Sequence, residues 1–345
     1  MSNIEKIREF LNKNHLKIDE KYFKYLGDGL SELTDEDEYI HTYDEYLPNW
    51  SESFYFNFIN EKSGIDLVSR ISFNPYENIS NILFVLFIDN KPKVYVKRIK
   101  LKGMPAKGKW DLDKRLKYVL INEHSEWRLT YEDKFHKLNI TWKKRFDPFS
   151  YLAGMNILEN LKKYINLIGK ASQQHYEQGG IVNGTLTFKK TGEIRKIENC
   201  WAHRDHSWGT RDWKAVGKWN WISSQFEDRT INIAKVIIGN DIIVSGFIST
   251  KDGNIRVSDV EIETEFEEVE DNFGVKVQRP KTSTFNITDE NGKKYLIKSK
   301  RRTSIDLPVP IPSKVKTIIS EQIHNFSIDG SEYSGNGISE YLYKQ

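Results

Sequence analysis

Apolar and polar residues alternate with a period of two along most of this chain, the pattern of strands with one buried face. Residues 53–60 (SFYFNFIN) alternate, Glu61-Lys62-Ser63-Gly64 supplies a turn, and residues 65–73 resume the pattern. Residues 82–88 and 94–101 flank the turn Asp89-Asn90-Lys91-Pro92, and 127–131 and 137–142 continue the series. A second run of strands is predicted over 175–178, 180–188, 193–208, 218–226, 230–238, 241–249, 257–269 and 275–278. Gly335-Asn336-Gly337 leads into a last strand ending at Glu340-Tyr341. Two segments break the alternation. Ser2-Asn3-Ile4-Glu5 is a capping box that opens a short helix with Ile4, Ile7, Phe10 and Leu11 on one face. Over residues 150–168, Leu152, Met155, Leu158, Leu161, Ile165 and Ile168 recur at helical spacing, predicting a helix that joins two β units. Many short antiparallel strands with polar turns indicate an all-β barrel or sandwich.

A chain of 345 residues has room for two domains. The boundary is placed between residues 165 and 166. Residues 1–165 would hold the first helix and first β unit, and 166–345 the second unit with Arg204-Asp205-His206-Ser207-Trp208-Gly209. Charged residues make up 29% and net charge is only +3, with basic residues dispersed except over Lys298–Arg302, which argues against a nucleic-acid partner. The longest apolar run, residues 82–88, is too short for a membrane helix, so no integral membrane association is expected. With no signal-peptide pattern, a cytoplasmic protein is the expectation. The single Cys200 excludes a disulfide framework and a multi-cysteine zinc site. Gly335-x-Gly337-x-x-Glu340 has no following helix and reads as a turn, so neither a nucleotide cofactor nor a metal is expected.

The densest chemistry lies between His203 and Trp213. On a strand, Arg204, His206 and Trp208 share one face, while His203, Asp205 and Ser207 share the other. Ser207 and His206 point apart, which argues against a nucleophile–base pair. In an apolar barrel, His206 with an acidic partner from Asp205, Glu177 or Asp212 could protonate a substrate, while the Trp208 indole stabilises a developing cation. Equally, Arg204, Asp205, Arg211 and Asp212 could form an ion-pair network that pins strand ends. Trp219 and Trp221 lie in phase with Ser223 and Gln225, a row suited to a cavity wall or to a packed core. His175 and Glu177 share a face on an earlier strand and could join His203 and Asp205 around a metal. The expectation is one enclosed pocket lined by His206, Trp208 and at least one of Trp219 and Trp221.

His175-Tyr176-Glu177-Gln178-Gly179-Gly180, the run Arg204-Asp205-His206-Ser207-Trp208-Gly209-x-Arg211-Asp212-Trp213, and Gly335-x-Gly337-x-x-Glu340-Tyr341 together resemble the calycin-like superfamily. That superfamily holds the AttH proteins, the carotenoid 1,2-hydratases (hydroxyneurosporene synthases) and the fungal lipocalin-like Diels–Alderases. The resemblance covers roughly residues 170–345 and is weaker before 150. It implies two tandem lipocalin-like antiparallel β-barrels and, through the His-x-Trp-Gly pattern of the hydratases, roles for His206 and Trp208. A downstream aromatic-x-Asp pattern of the hydratases has no counterpart, since Asp212 and Trp213 stand in the reverse order. The reading is of a cofactor-independent enzyme acting on a hydrophobic isoprenoid- or polyketide-like small molecule by hydration, isomerisation or cyclisation. Asp205, His206, Glu177 and Asp212 are its catalytic candidates, and Arg204, Trp208, Trp219, Trp221, His175 and Arg211 its substrate-binding ones. The rival reading is a non-catalytic carrier of a lipophilic ligand.

Overall fold

The computed structural model describes residues 3–15, 17, 32–151, 171–211, 214, 216–270, 274, 276–309, 317–332 and 334–344. Helix α1 spans Asn3–Lys13 and buries Ile7 and Leu11, as its apolar stripe requires. The helix expected over 150–168 lies outside the described residues, apart from its first two positions. No helix among the described residues is long and apolar enough to cross a membrane.

Eleven described strands form the first sheet: β1 (Trp50–Phe58), β2 (Ile65–Asn74), β3 (Ile79–Ile88), β4 (Lys91–Lys100), β5 (Lys109–Asp111), β6 (Leu116–Asn122), β7 (Glu126–Glu132), β8 (His136–Lys144), β9 (Phe149–Ser150), β10 (Ala171–Phe188) and β11 (Ile194–Arg211). Their order is β4-β3-β2-β1-β11-β10-β8-β7-β6-β5, with β9 against β10. The sheet curls until Phe84 of β3 stacks on Tyr131 of β7, and the apolar residues inside the curl form one core. The second sheet is a closed antiparallel barrel of β12 (Val216–Gln225), β13 (Arg229–Ile238), β14 (Asp241–Thr250), β15 (Gly253–Glu270), β16 (Lys276–Asp289), β17 (Lys294–Pro308), β18 (Thr317–Ile328) and β19 (Gly335–Lys344). The fold is thus all-β, with two antiparallel calycin-like units in tandem.

Two expectations are corrected. The sheets divide after Arg211 and not at 165/166, because the long strands β10 and β11 complete the first sheet between β1 and β8. Strands β17 and β18 were not predicted: in β17 the buried Tyr295 and Ile297 are followed in the same inward row by the polar Ser299 between the exposed Lys298 and Lys300, which ends the apolar alternation.

Strand β1 is buried along both faces. Phe54, Phe56 and Phe58 point into the first core, while Tyr55 joins Val68 of β2 and Val85 and Phe87 of β3 against Ile305, Ile323 and Ile338 on the outside of the barrel. This second apolar layer holds the sheet against the barrel. The approach is closest at Gly179 and Gly180. A Cβ at Gly179 would lie 2.2 Å from Thr230 Oγ1 of β13, and one at Gly180 would lie 2.2 Å from the Trp142 ring inside the first unit. Only hydrogen fits on either side of β10 there.

Candidate active site between the sheet and the barrel

Strand β11 separates two chemical environments. Its pairing with β1 and β10 fixes the register, with Glu177 opposite Asp205, Asp205 opposite Tyr55, and Tyr55 opposite Arg70 of β2. Between Cys200 and Trp208, even-numbered residues of β11 therefore enter the first unit, and odd-numbered ones face the barrel.

On the inner face, Arg204 and Glu38 form a fully buried ion pair. Arg204 also donates to Gln178 Oε1 from Nε (2.9 Å) and to the Tyr176 hydroxyl from Nη1 (3.3 Å). Trp127 Nε1 (3.1 Å) and the Tyr176 hydroxyl (2.8 Å) donate to the Glu38 carboxylate. Burial raises the Glu38 pKa, but the Arg204 charge outweighs it and holds the carboxyl far below its ordinary range. His206 is equally committed. Nδ1 donates to the Asp37 carbonyl (2.7 Å), Nε2 meets Glu52 Oε1 (2.9 Å), and the ring stacks on Phe54 at 4.0 Å. Trp208 is buried against Trp50 and Tyr176 and stacks on His41. Arg204, His206 and Trp208 thus tie the 3-10 turn at Asp35–Glu38 to the sheet. Their expected place in one pocket with Trp219 or Trp221 is corrected: the two groups lie on opposite sides of β11, because a period of two sends them apart.

The outer face is different. Glu177 is a hub. It meets His203 Nε2 at 2.6 Å and His175 Nε2 at 3.4 Å, and accepts from Asn232 Nδ2 (2.6 Å) and Trp221 Nε1 (3.0 Å). Burial raises its pKa, but the hydrogen bonds from His175 and His203 prevail and keep it ionised well below the ordinary carboxylate range. Asn232 and Trp221 belong to the barrel, so this one carboxylate also fastens the two units together. Beside it, Asp205 makes no side-chain hydrogen bond or ion pair among the described residues. Burial, and then the Glu177 charge, push its pKa up to about 7.

Facing this row across the gap is a second one, Trp221–Glu340–Glu321, on the outside of the barrel. Glu340 shares a hydrogen bond with Glu321 and receives one from Trp219. Burial, and then the opposing Glu340, raise the Glu321 pKa well above its ordinary value. Arg211 lies over the Trp219 ring at 5.5 Å. Asp205, Arg70, Arg211 and Glu340 are surrounded by protein, yet they and the two indoles keep partly accessible surface. These side chains line the seam between sheet and barrel.

Residues 34–345 match a family model described as "Domain of unknown function (DUF7064)". The chain is a DUF7064 protein. No curated protein matches it in sequence. Solved structures share the fold. A putative AttH from Nitrosomonas europaea aligns with TM-score 0.63 and 12% identity over 88% of this chain and 97% of that one. Kievitone hydratase from Nectria haematococca aligns at 0.59 and 14% over 90% and 94%, and CghA solved with Sch210972 at 0.59 and 10% over 86% and 88%. In fold, the DUF7064 chain is AttH-like.

Of the residues singled out in the sequence, the structure brings together His175, Glu177, Asp205, Arg211, Trp219 and Trp221 on the side of the sheet that meets the barrel. It places Arg204, His206 and Trp208 on the other side, and Asp212 lies outside the described residues. Ser207 bonds Ser53 (2.9 Å) on the face opposite His206, so the two form no nucleophile–base pair. Sequence reasoning missed Arg70, Glu321, Tyr55 and Asn232, which sit on other strands. Their only signal was a polar or aromatic residue in phase with an apolar face.

His41, Glu52 and His206 offer three ligand atoms within 4.8 Å of one another, a set able to hold a metal ion. A proton on His41 already meets the same need. Burial lowers the His41 pKa, but Glu52 and Asp37 overcome it and raise it to about 9. A raised histidine contributes stability that is complete below 6.5 and lost as pH rises through about 9. His41→Gln should therefore flatten the alkaline limb of a melting-temperature profile between pH 6 and 10, removing on the order of 2–3 kcal/mol of pH dependence. An unchanged limb would show that His41 carries no linked proton.

Proposed function

We propose that the seam between sheet and barrel encloses a ligand cavity, and that this cavity is the active site of an enzyme that hydrates, isomerises or cyclises a small molecule by proton transfer, with Asp205 as the general acid. The observation that carries this reading is the divergence of two adjacent carboxyls. Glu177 is bound by four donors and ionised, whereas Asp205 is unbonded and protonated close to neutral pH. Paired carboxyls whose surroundings drive their pKa values apart divide into an anchor and a working acid. Asp205 would give its proton to an alkene or carbonyl, leaving its own carboxylate and a carbocation or oxocarbenium ion. Loss of a proton from a neighbouring carbon returns it to Asp205 and completes an isomerisation. Attack by water, with its surplus proton passing to Asp205, completes a hydration. Either way the acid is regenerated and no redox partner is needed. Trp219 and Trp221 supply a cation-tolerant apolar wall, which suits an isoprenoid- or polyketide-like body. A hydratase among the proteins of similar fold supports water addition as one of these outcomes. A non-catalytic carrier would use the indoles but has no need of an unbonded acid.

The test is untargeted mass spectrometry of a small-molecule extract, from cells that produce the protein, incubated with wild type, heat-killed protein or Asp205→Asn. Expected are compounds that gain or lose one water, or change retention at constant mass, with active wild type alone. Identical extracts in all three arms would overturn the proposal. Trp221→Phe removes both the indole wall and a donor to Glu177. It should weaken retention of co-purifying ligand about tenfold, by 1–2 kcal/mol, measured by titration calorimetry with the compound so found.

A further inference from the structure

Arg70 extends the same row as Glu177, Asp205 and Tyr55, and its guanidinium faces the cavity. Among the described residues it makes no hydrogen bond and no ion pair. That is unusual for a buried arginine, because an enclosed charge without a partner is costly. Arg204, fully buried, is by contrast bonded to three side chains. None of the acids near Arg70 bonds to it among the described residues. Burial biases Asp205, Glu321 and Glu340 towards their neutral forms, with the Glu177 charge adding to this at Asp205 and Glu340 at Glu321, while Arg211 keeps its charge with a pKa of about 10. The cavity therefore holds two guanidinium groups, three carboxyls biased towards their neutral forms and one carboxylate, Glu177, already occupied by its own donors.

Resting on the cavity assigned above, we propose that its ligand is an anion, with a carboxylate or enolate head bound by Arg70 and an apolar body lying on Trp219 and Trp221. A planar anionic head matches the two parallel N–H donors of a guanidinium. Asp205, two strands away on the same row, stands at roughly 10 Å between backbones, since adjacent strands are about 4.8 Å apart. With both side chains reaching inward, the acid meets the carbon skeleton next to the head group rather than the head itself. The substrate class so defined is an unsaturated or enolisable acid, and Arg70 is its specificity-determining residue.

Two fluorescent probes with the same ring system but different charge test this. Anilinonaphthalene sulfonate is an anion, and phenylnaphthylamine is uncharged. Wild type should bind the anion at least tenfold more tightly than the neutral probe. Arg70→Met should remove that preference and leave phenylnaphthylamine affinity within twofold, while Arg70→Lys should restore part of it. Trp221→Phe should weaken both probes, locating them in this cavity. If Arg70→Met lowers both affinities equally, or changes neither, the proposal is overturned, as it is if wild type prefers the neutral probe. Should Arg70→Met fail to fold, Arg70→Lys and the wild-type preference still decide. Asp205→Asn separates this inference from the catalytic reading: it should retain the anion preference even where turnover is absent. Preference without turnover in wild type would leave the anion site standing and sink the enzyme.

Discussion

Asp205→Asn is expected to stay folded while its turnover falls by about 10²–10⁴-fold, the range associated with loss of a positioned general acid. The asparagine keeps the shape of the side chain and loses only the transferable proton. Stability should move the other way. The folded pKa of Asp205 is raised from an ordinary 3.8 to about 7. The stability linked to it is complete below the ordinary value and lost as pH rises through about 7. Asparagine does not titrate, so the variant should gain on wild type across that window, by on the order of 1–3 kcal/mol at pH 8. Paired denaturation curves at pH 5 and pH 8, beside the extract assay, measure both effects. A variant that is active, or one that loses stability at pH 8, would remove Asp205 from the role of acid.

The largest stability effect belongs to the opposite face of the same strand. Arg204→Ala should cost about 3–5 kcal/mol, because it leaves the Glu38 carboxylate buried with its charge uncompensated. The double variant Arg204→Met with Glu38→Gln should recover much of that loss, since it removes both charges and keeps the volume. Urea melts of the two single variants and the double one give the coupling energy directly. A near-neutral Arg204→Ala would mean that Tyr176 and Trp127 hold Glu38, and with it the turn at Asp35–Glu38, without the ion pair.

The fold was legible because alternation reports burial on one face, and most strands here have one wet or polar side. It failed where both faces are used. The apolar alternation of β17 runs out after Ile297 at Lys298-Ser299-Lys300, and the strands β10 and β11 lie beyond the expected boundary yet pair into the first sheet, with no change in texture to mark it. The site was half legible for the same reason. The alternation within His203–Trp208 sorted the residues onto their two faces, but sequence carries no sign of which face meets a core and which a cavity. That is decided by what packs against the sheet, and the barrel residues that do so come late in the chain, Ile323 in β18 and Ile338 in β19. His206 drew attention as the residue with acid–base chemistry, yet Asp37, Glu52 and Phe54 consume its capacity. Arg70 escaped notice because one arginine in an apolar strand looks like a surface residue until both sides are known.

The alternation of β11 also makes the strand a place for grafting new chemistry. Side chains at 203, 205 and 207 can be exchanged as one set, while 204, 206 and 208 keep the scaffold closed from behind. A library restricted to the odd positions and to Arg70 would redraw the cavity without touching the ion pair that anchors it. Mutational tolerance along these six residues should then rise and fall at every step, a sawtooth visible in a single deep substitution scan.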